Sequence, residues 1–223
     1  MKKILFIGDS NCLPRYNTIK KDIIKIEDLY IYQLKKKFQN FHFEQITLGG
    51  ITTPQLINYV VPYYVDWEPD IILMHTGIND TKSQLASGKV LNLIYKSTKL
   101  FNISKKNLKS KILYNPSYLK YSSRSKTDIE TFEKSIDKIK LLFNKSKIYW
   151  LEVYSDEKLD TKRPNTKKNI YNLNLLLKKK FEKNLIKMED LKKKKYFTSD
   201  GFHLNCLGHK ILSRKIANLI KIN

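Results

Sequence analysis

At 223 residues and 41% hydrophobic content, the chain is long enough to bury the core of one α/β domain and too short for more than two small ones. A formal charge of +22 points to anionic partners as a class, yet only four of the 43 basic residues are arginine, the side chain that bidentate phosphate and base recognition uses. The excess is lysine, read as a solvated surface, so a nucleic-acid partner is not expected.

Met1-Lys2-Lys3 leads straight into the apolar run Ile4-Leu5-Phe6-Ile7, which leaves no room for a secretory leader and sets a cytoplasmic expectation. That run breaks on Gly8-Asp9-Ser10-Asn11 and reads as a buried strand entering a turn. A helix is expected over Ile26 to Phe38, then a strand Phe43 to Thr47 that ends at Gly49-Gly50. Thr53 is placed as a helix cap, with Pro54 in the first turn of a helix to about Tyr59. A third strand, Ile71 to His75, closes on Gly77-Ile78-Asn79-Asp80. Residues 81–126 form a long connection, expected to be a lid or subsite wall and carrying Tyr114, Tyr118 and Tyr121. Ile129, Phe132, Ile136, Ile139 and Phe143 then recur at helical spacing before a strand Ile148 to Val153. A further amphipathic helix starts near Thr166 and carries Ile170, Leu173, Leu177 and Phe181. The strand Leu185 to Met188, the loop Asp200-Gly201-Phe202-His203 and a closing helix through Leu219 complete the chain. Five strands separated by helix-length segments predict a parallel sheet covered on both faces, and no apolar stretch approaches the ~20 residues of a membrane helix.

Every chemically suggestive segment in that series falls at a strand's carboxyl end or in the loop after the last strand, where open α/β sheets form their crevice. Ser10 is the candidate nucleophile. A serine hydroxyl needs a base, and the base needs a group that fixes its tautomer. His203 and Asp200 suit those two parts, because a spacing of three lets the carboxylate fold back onto the Nδ1–H of the imidazole. Donors for a tetrahedral oxyanion are on offer from the Ser10 backbone N–H, the Gly50 backbone N–H and the Asn79 side-chain amide. His75, next in proximity, is the fallback base. Cys12 and Cys206 are read as free thiols of a reducing compartment, both near this crevice if its segments converge.

Taken in order and approximate spacing, Gly8-Asp9-Ser10, Gly50, Gly77-Ile78-Asn79-Asp80 and Asp200-Gly201-Phe202-His203 resemble the four blocks of the SGNH (GDSL-type) hydrolases. The resemblance spans residues 4 to about 216. It implies a flavodoxin-like three-layer α/β/α fold over a single domain, 1–223, and ester hydrolysis through an acyl-serine intermediate without metal or cofactor. It also implies the roles: Ser10 as nucleophile and oxyanion donor, Gly50 and Asn79 as the other donors, His203 as base, Asp200 as its orienter. The family often has Leu after the serine, where this chain has Asn11. Glycines at both 49 and 50 leave the donor ambiguous by one residue, and the following Ile51-Thr52-Thr53 favours Gly50.

For the substrate, a short acyl ester such as acetate on a carbohydrate or glycan precursor is what the resemblance favours. Arg15, five residues after Ser10, is a candidate reader of a substrate carboxylate or phosphate, and Tyr118 a candidate sugar-stacking residue. Lipid or thioester hydrolysis and acyl transfer on the same site are the rival activities. A basic polyanion-binding module without catalysis is the rival of another class, and the lysine run Lys192 to Lys195 before the histidine loop would attract an anionic ligand under either reading.

Overall fold

The structure is a computed structural model that describes residues 1–16, 19, 22–85, 115–122, 124–191 and 193–222. Strand β1 (Lys3–Gly8) is apolar on both faces, as a central strand of a doubly covered sheet must be. It pairs in parallel with β2 (His42–Thr47) on one side and β3 (Ile71–His75) on the other. β4 (Lys147–Leu151) and the short β5 (Leu185–Ile186) extend the sheet, giving the order β2-β1-β3-β4-β5 among the described residues. The sheet is therefore five-stranded and parallel.

Alternation along the strands sends side chains to two separate cores. Leu5, Ile7, Ile72, Met74, Ile148 and Trp150 face one layer, built from α2 (Thr53–Tyr59), α5 (Ile129–Leu142) and α7 (Thr166–Phe181). Ile4, Phe6, Ile71, Leu73, Tyr149 and Leu151 face the other, built from α1 (Tyr30–Lys37) and α8 (Cys206–Ile222). The remaining helices are short: α3 (Ile78–Thr81), α4 (Pro116–Leu119) and α6 (Glu157–Lys162). This is the expected three-layer α/β/α arrangement. Its strand order reverses direction between β1 and β3, and crevices in such sheets open at that switch point.

Local differences from the sequence reading have local causes. The helix expected over Ile26 to Phe38 is divided: Asp28 Oδ2 accepts from the Lys25 N–H at 3.0 Å, closing a single turn Ile26–Asp28, and Leu29 is extended before α1 begins. Thr52 rather than Thr53 caps α2, its backbone N–H donating to Gln55 Oε1 at 3.0 Å, because the Thr53 hydroxyl is drawn inward to Asp80 Oδ2 at 2.9 Å. The strand expected to reach Val153 ends at Leu151, where the Val153 N–H turns to Asn174 Oδ1 instead. Tyr114 and most of the expected lid lie outside the described residues. The two ends of that stretch meet, with Ser83 bridging to Ser125 and the Gln84 N–H donating to Arg124 O at 3.0 Å.

Candidate active site

The turn after β1 is built to present Ser10. Asp9 donates its N–H to His75 O at 3.2 Å, pinning the end of β1 to the end of β3, and its Oδ1 accepts from the Asn11 N–H at 2.9 Å to cap the turn Ser10–Cys12. Asn11, silent in the sequence reading, then reaches across the crevice: its Oδ1 accepts from the Leu204 N–H at 3.1 Å, one residue past His203. The serine turn and the histidine loop are thereby held in register. A polar side chain directly after a candidate nucleophile, where the resembled family often has Leu, was the signal that could have found it.

Across that junction His203 Nε2 lies 2.8 Å from Ser10 Oγ, and His203 Nδ1 lies 2.7 Å from Asp200 Oδ2. The other oxygen of Asp200 accepts from Thr198 Oγ1 at 2.8 Å and from the backbone N–H of Phe202 and His203. Burial pushes Asp200 up, but these donors together with the His203 ring hold its carboxyl well below the usual range, so it stays ionised. Burial also lowers His203, against the pull of Asp200, so at rest the imidazole is neutral and able to accept a proton. A rate dependent on neutral His203 should therefore rise with pH to a plateau, with the midpoint of kcat/KM below the ordinary histidine value of 6.5. A kcat/KM profile from pH 4 to 8 measures this.

Arg15 is already paired within the site. Its Nη2 pairs with Asp200 Oδ2 at 2.9 Å and its Nη1 lies 2.5 Å from His203 Nδ1, because the antiparallel bridge from Arg15 to Ile24 carries it over the outer side of the histidine loop. The guanidinium thus adds a donor to the Asp200 carboxylate and places beside the imidazole a positive charge that lowers His203. Asp22 fastens the same flank by accepting from the Ser199 N–H at 2.8 Å. Tyr118 is half-exposed on α4, a helix hung from Asn165 Nδ2 through the Leu119, Lys120 and Ser122 carbonyls, and no described contact links it to Ser10. His75 is held in the core by Tyr30 Oη at 3.0 Å, with burial lowering it to about 4, which makes it a poor base near neutral pH. Both cysteines are free: Cys12 is buried against Tyr30, while Cys206 is exposed at the start of α8.

The candidate oxyanion donors come from the ends of β1, β2 and β3, three adjacent strands. Gly50 sits at φ +72°, a left-handed backbone that only glycine adopts without strain, and an added Cβ would meet nothing within 4 Å. Conformation, not crowding, requires the glycine there, and the space above it is open. Asn79 is buried, with Nδ2 lacking a partner while Oδ1 accepts from Lys82 Nζ at 2.8 Å. A buried donor without an acceptor costs stability, so an unsatisfied amide in a crevice marks a place where an incoming oxygen is anticipated. Asp80 ties the two loops together, accepting from the Thr53 N–H at 3.1 Å, from Thr53 Oγ1 at 2.9 Å and from Thr127 Oγ1 at 2.6 Å.

Asp9 has a cost that can be measured. Burial raises it from 3.8 to about 6, and its Oδ2 has no partner. A carboxyl whose folded pKa exceeds its unfolded one favours folding below about pH 4, and this contribution is lost as pH rises through 6. The stability difference between Asp9→Asn and wild type should therefore grow in the variant's favour by about 2–3 kcal/mol from pH 4 to pH 8. Urea denaturation of both proteins at the two pH values tests it.

Comparison with known proteins locates the fold. No family model and no curated protein matches the sequence. Solved structures do match: a lipase/acylhydrolase from Enterococcus faecalis at 17% identity and TM-score 0.61, covering 99% of this chain and 96% of that one. A carbohydrate acetylesterase family member from Sinorhizobium meliloti matches at 15% identity and TM-score 0.61 over 100% of this chain and 98% of its own. A psychrotrophic esterase from a Pseudoalteromonas species matches at 13% and 0.57, over 99% and 97%. Among the described residues no helix is long and apolar enough to cross a membrane, and no group of three or more His, Cys, Asp or Glu is placed to hold a metal ion. With the sheet order, the two helical layers and the end-to-end match to these structures, the chain has the fold of the SGNH, GDSL-type hydrolases.

Proposed function

We propose that the protein is a serine ester hydrolase acting on short acyl esters, with acetate on a carbohydrate or glycan precursor as the natural class. The observation that carries the reading is the unbroken line from Ser10 Oγ to His203 Nε2 at 2.8 Å and from His203 Nδ1 to Asp200 Oδ2 at 2.7 Å. Ser10 Oγ attacks the ester carbonyl carbon and its proton passes to His203 Nε2, while ionised Asp200 stabilises the resulting imidazolium. The oxyanion is received by the N–H groups of Ser10 and Gly50 and by the Asn79 amide, whose lack of a resting partner fits that part. Collapse expels the alcohol with the proton from His203. Water, deprotonated by the same imidazole, then releases the acid and regenerates Ser10.

The esterase and acetylesterase names of the structural neighbours support an ester substrate, and the open space above Gly50 leaves room for an acyl group to approach its N–H. The test is hydrolysis of p-nitrophenyl esters from acetate to long chain, followed by acetate release from acetylated oligosaccharides. Preference for acetate supports the reading. Preference for long chains transfers it to lipid esters, and absence of turnover together with salt-sensitive polyanion binding replaces it with the binding-module alternative.

A further inference from the structure

Lys82 is a half-buried lysine to which the mechanism gives no part, and it touches both halves of the site. Its Nζ donates to Asn79 Oδ1 at 2.8 Å and lies 4.1 Å from the centre of the Phe202 ring. Phe202 in turn packs on the His203 imidazole, with ring centroids 4.0 Å apart. An ammonium over an aromatic face is held electrostatically, so the lysine is fixed by the histidine loop while it grips the asparagine.

We propose that Lys82 is a positioning residue for the oxyanion site, holding the Asn79 amide with its oxygen turned away from the reacting carbonyl and its NH2 group turned toward it. This inference rests on the ester-hydrolase reading above. Two physical effects follow from the one bond. An asparagine amide can flip by 180°, and the ammonium, which only donates, permits only the orientation that presents oxygen to it. A positive charge on the amide oxygen also draws electron density from Nδ2, which makes its N–H groups stronger donors, as charge-assisted hydrogen bonds are.

The charge on Lys82 is poised to be lost in the alkaline range. Burial lowers it to about 8; Asp9 from the β1 turn and Asp200 from the histidine loop pull it up, while Arg163 after α6 and Lys126 before α5 push it down. Loss of that proton should weaken the Asn79 donor; it also removes one of the positive charges that lower His203, an effect read separately in the acid limb of the profile.

The experiment compares Lys82→Met and Lys82→Arg with wild type on p-nitrophenyl acetate, measuring kcat and KM from pH 6 to 10 alongside thermal melting. The expected result is a kcat about 10-fold lower in Lys82→Met at pH 7 with KM within about two-fold, and a kcat within about three-fold of wild type in Lys82→Arg. Wild-type kcat should decline above about pH 8, a limb absent from Lys82→Met. The proposal is overturned if Lys82→Met keeps its kcat, or if Lys82→Arg loses as much as Lys82→Met at unchanged melting temperature. A second readout does not need turnover: the Asn79 side-chain NH2 signals in a ¹⁵N NMR spectrum, assigned by their loss in Asn79→Asp, should titrate with a midpoint near 8 in the wild-type protein. Signals that stay still across that range sink the proposal. A wild-type protein that hydrolyses no ester refutes the hydrolase reading alone, because the NMR titration still decides the role of Lys82.

Discussion

Ser10→Ala should lower kcat on p-nitrophenyl acetate by about 10⁴-fold or more while leaving the melting temperature within a few degrees of wild type. The size follows from the proposed mechanism: without Oγ no acyl-enzyme would form, and what is left would be water attacking at the proposed oxyanion donors. The fold should tolerate the change because, among the described residues, Ser10 Oγ is partnered by His203 Nε2, and the turn it sits in is held by backbone and Asp9 contacts. His203→Ala should lose activity to a similar extent, since Ser10 and His203 act as one unit. Stopped assays with purified, melting-checked variants decide it. Undiminished hydrolysis by Ser10→Ala would place the nucleophile elsewhere.

Asp200→Asn is the second large effect, expected to be a kcat loss of about 10³–10⁴-fold with little change in KM. Asp200 Oδ2 accepts from His203 Nδ1 and from Arg15 Nη2, and Oδ1 accepts from Thr198 and two backbone N–H groups. Every neighbour of the carboxylate is thus a donor. An asparagine must turn its NH2 toward one of these sets, and if it faces His203 the imidazole takes the tautomer that donates from Nε2. That proton then points at Ser10, which can no longer surrender its own. Arg15→Ala separates the charge from the tautomer: it removes one donor to Asp200 without inverting the histidine, so its loss should be tens-fold rather than thousands-fold. A loss equal to that of Asp200→Asn would mean that the guanidinium, not the carboxylate, fixes the base.

The strands and the serine, glycine, asparagine and histidine blocks were legible because each obeys a local rule. An apolar run broken by glycine is a strand end, and Asp200 three residues before His203 is a spacing that a turn can close. Arg15 was not legible as the partner of Asp200, for a physical reason. Its sequence neighbourhood places it near the crevice, but which way it faces depends on the Arg15–Ile24 bridge, a pairing with no local signature. Asn11, Asp80 and Lys82 escaped for the same reason: their partners Leu204, Thr53 with Thr127, and Phe202 lie on other elements. Thr53 shows the limit most sharply, since the cap expected from the sequence gives its hydroxyl to the buried carboxylate of Asp80 and leaves Thr52 to cap α2.

The distance along the chain between the parts of the site has a consequence for biosynthesis. Ser10 and His203 are 193 positions apart, and Asn11 and Leu204 are separated by the same interval. Contacts of such long range close late, because the loop entropy they cost is recovered only when most of the sheet exists. On the proposed mechanism, a nascent chain that has passed Ser10 but not yet His203 would carry the hydroxyl without the imidazole that is to activate it. Under that mechanism, translation products that stop before His203 should be chemically silent, and onset of ester cleavage in a cell-free synthesis reaction should report chains that extend past it.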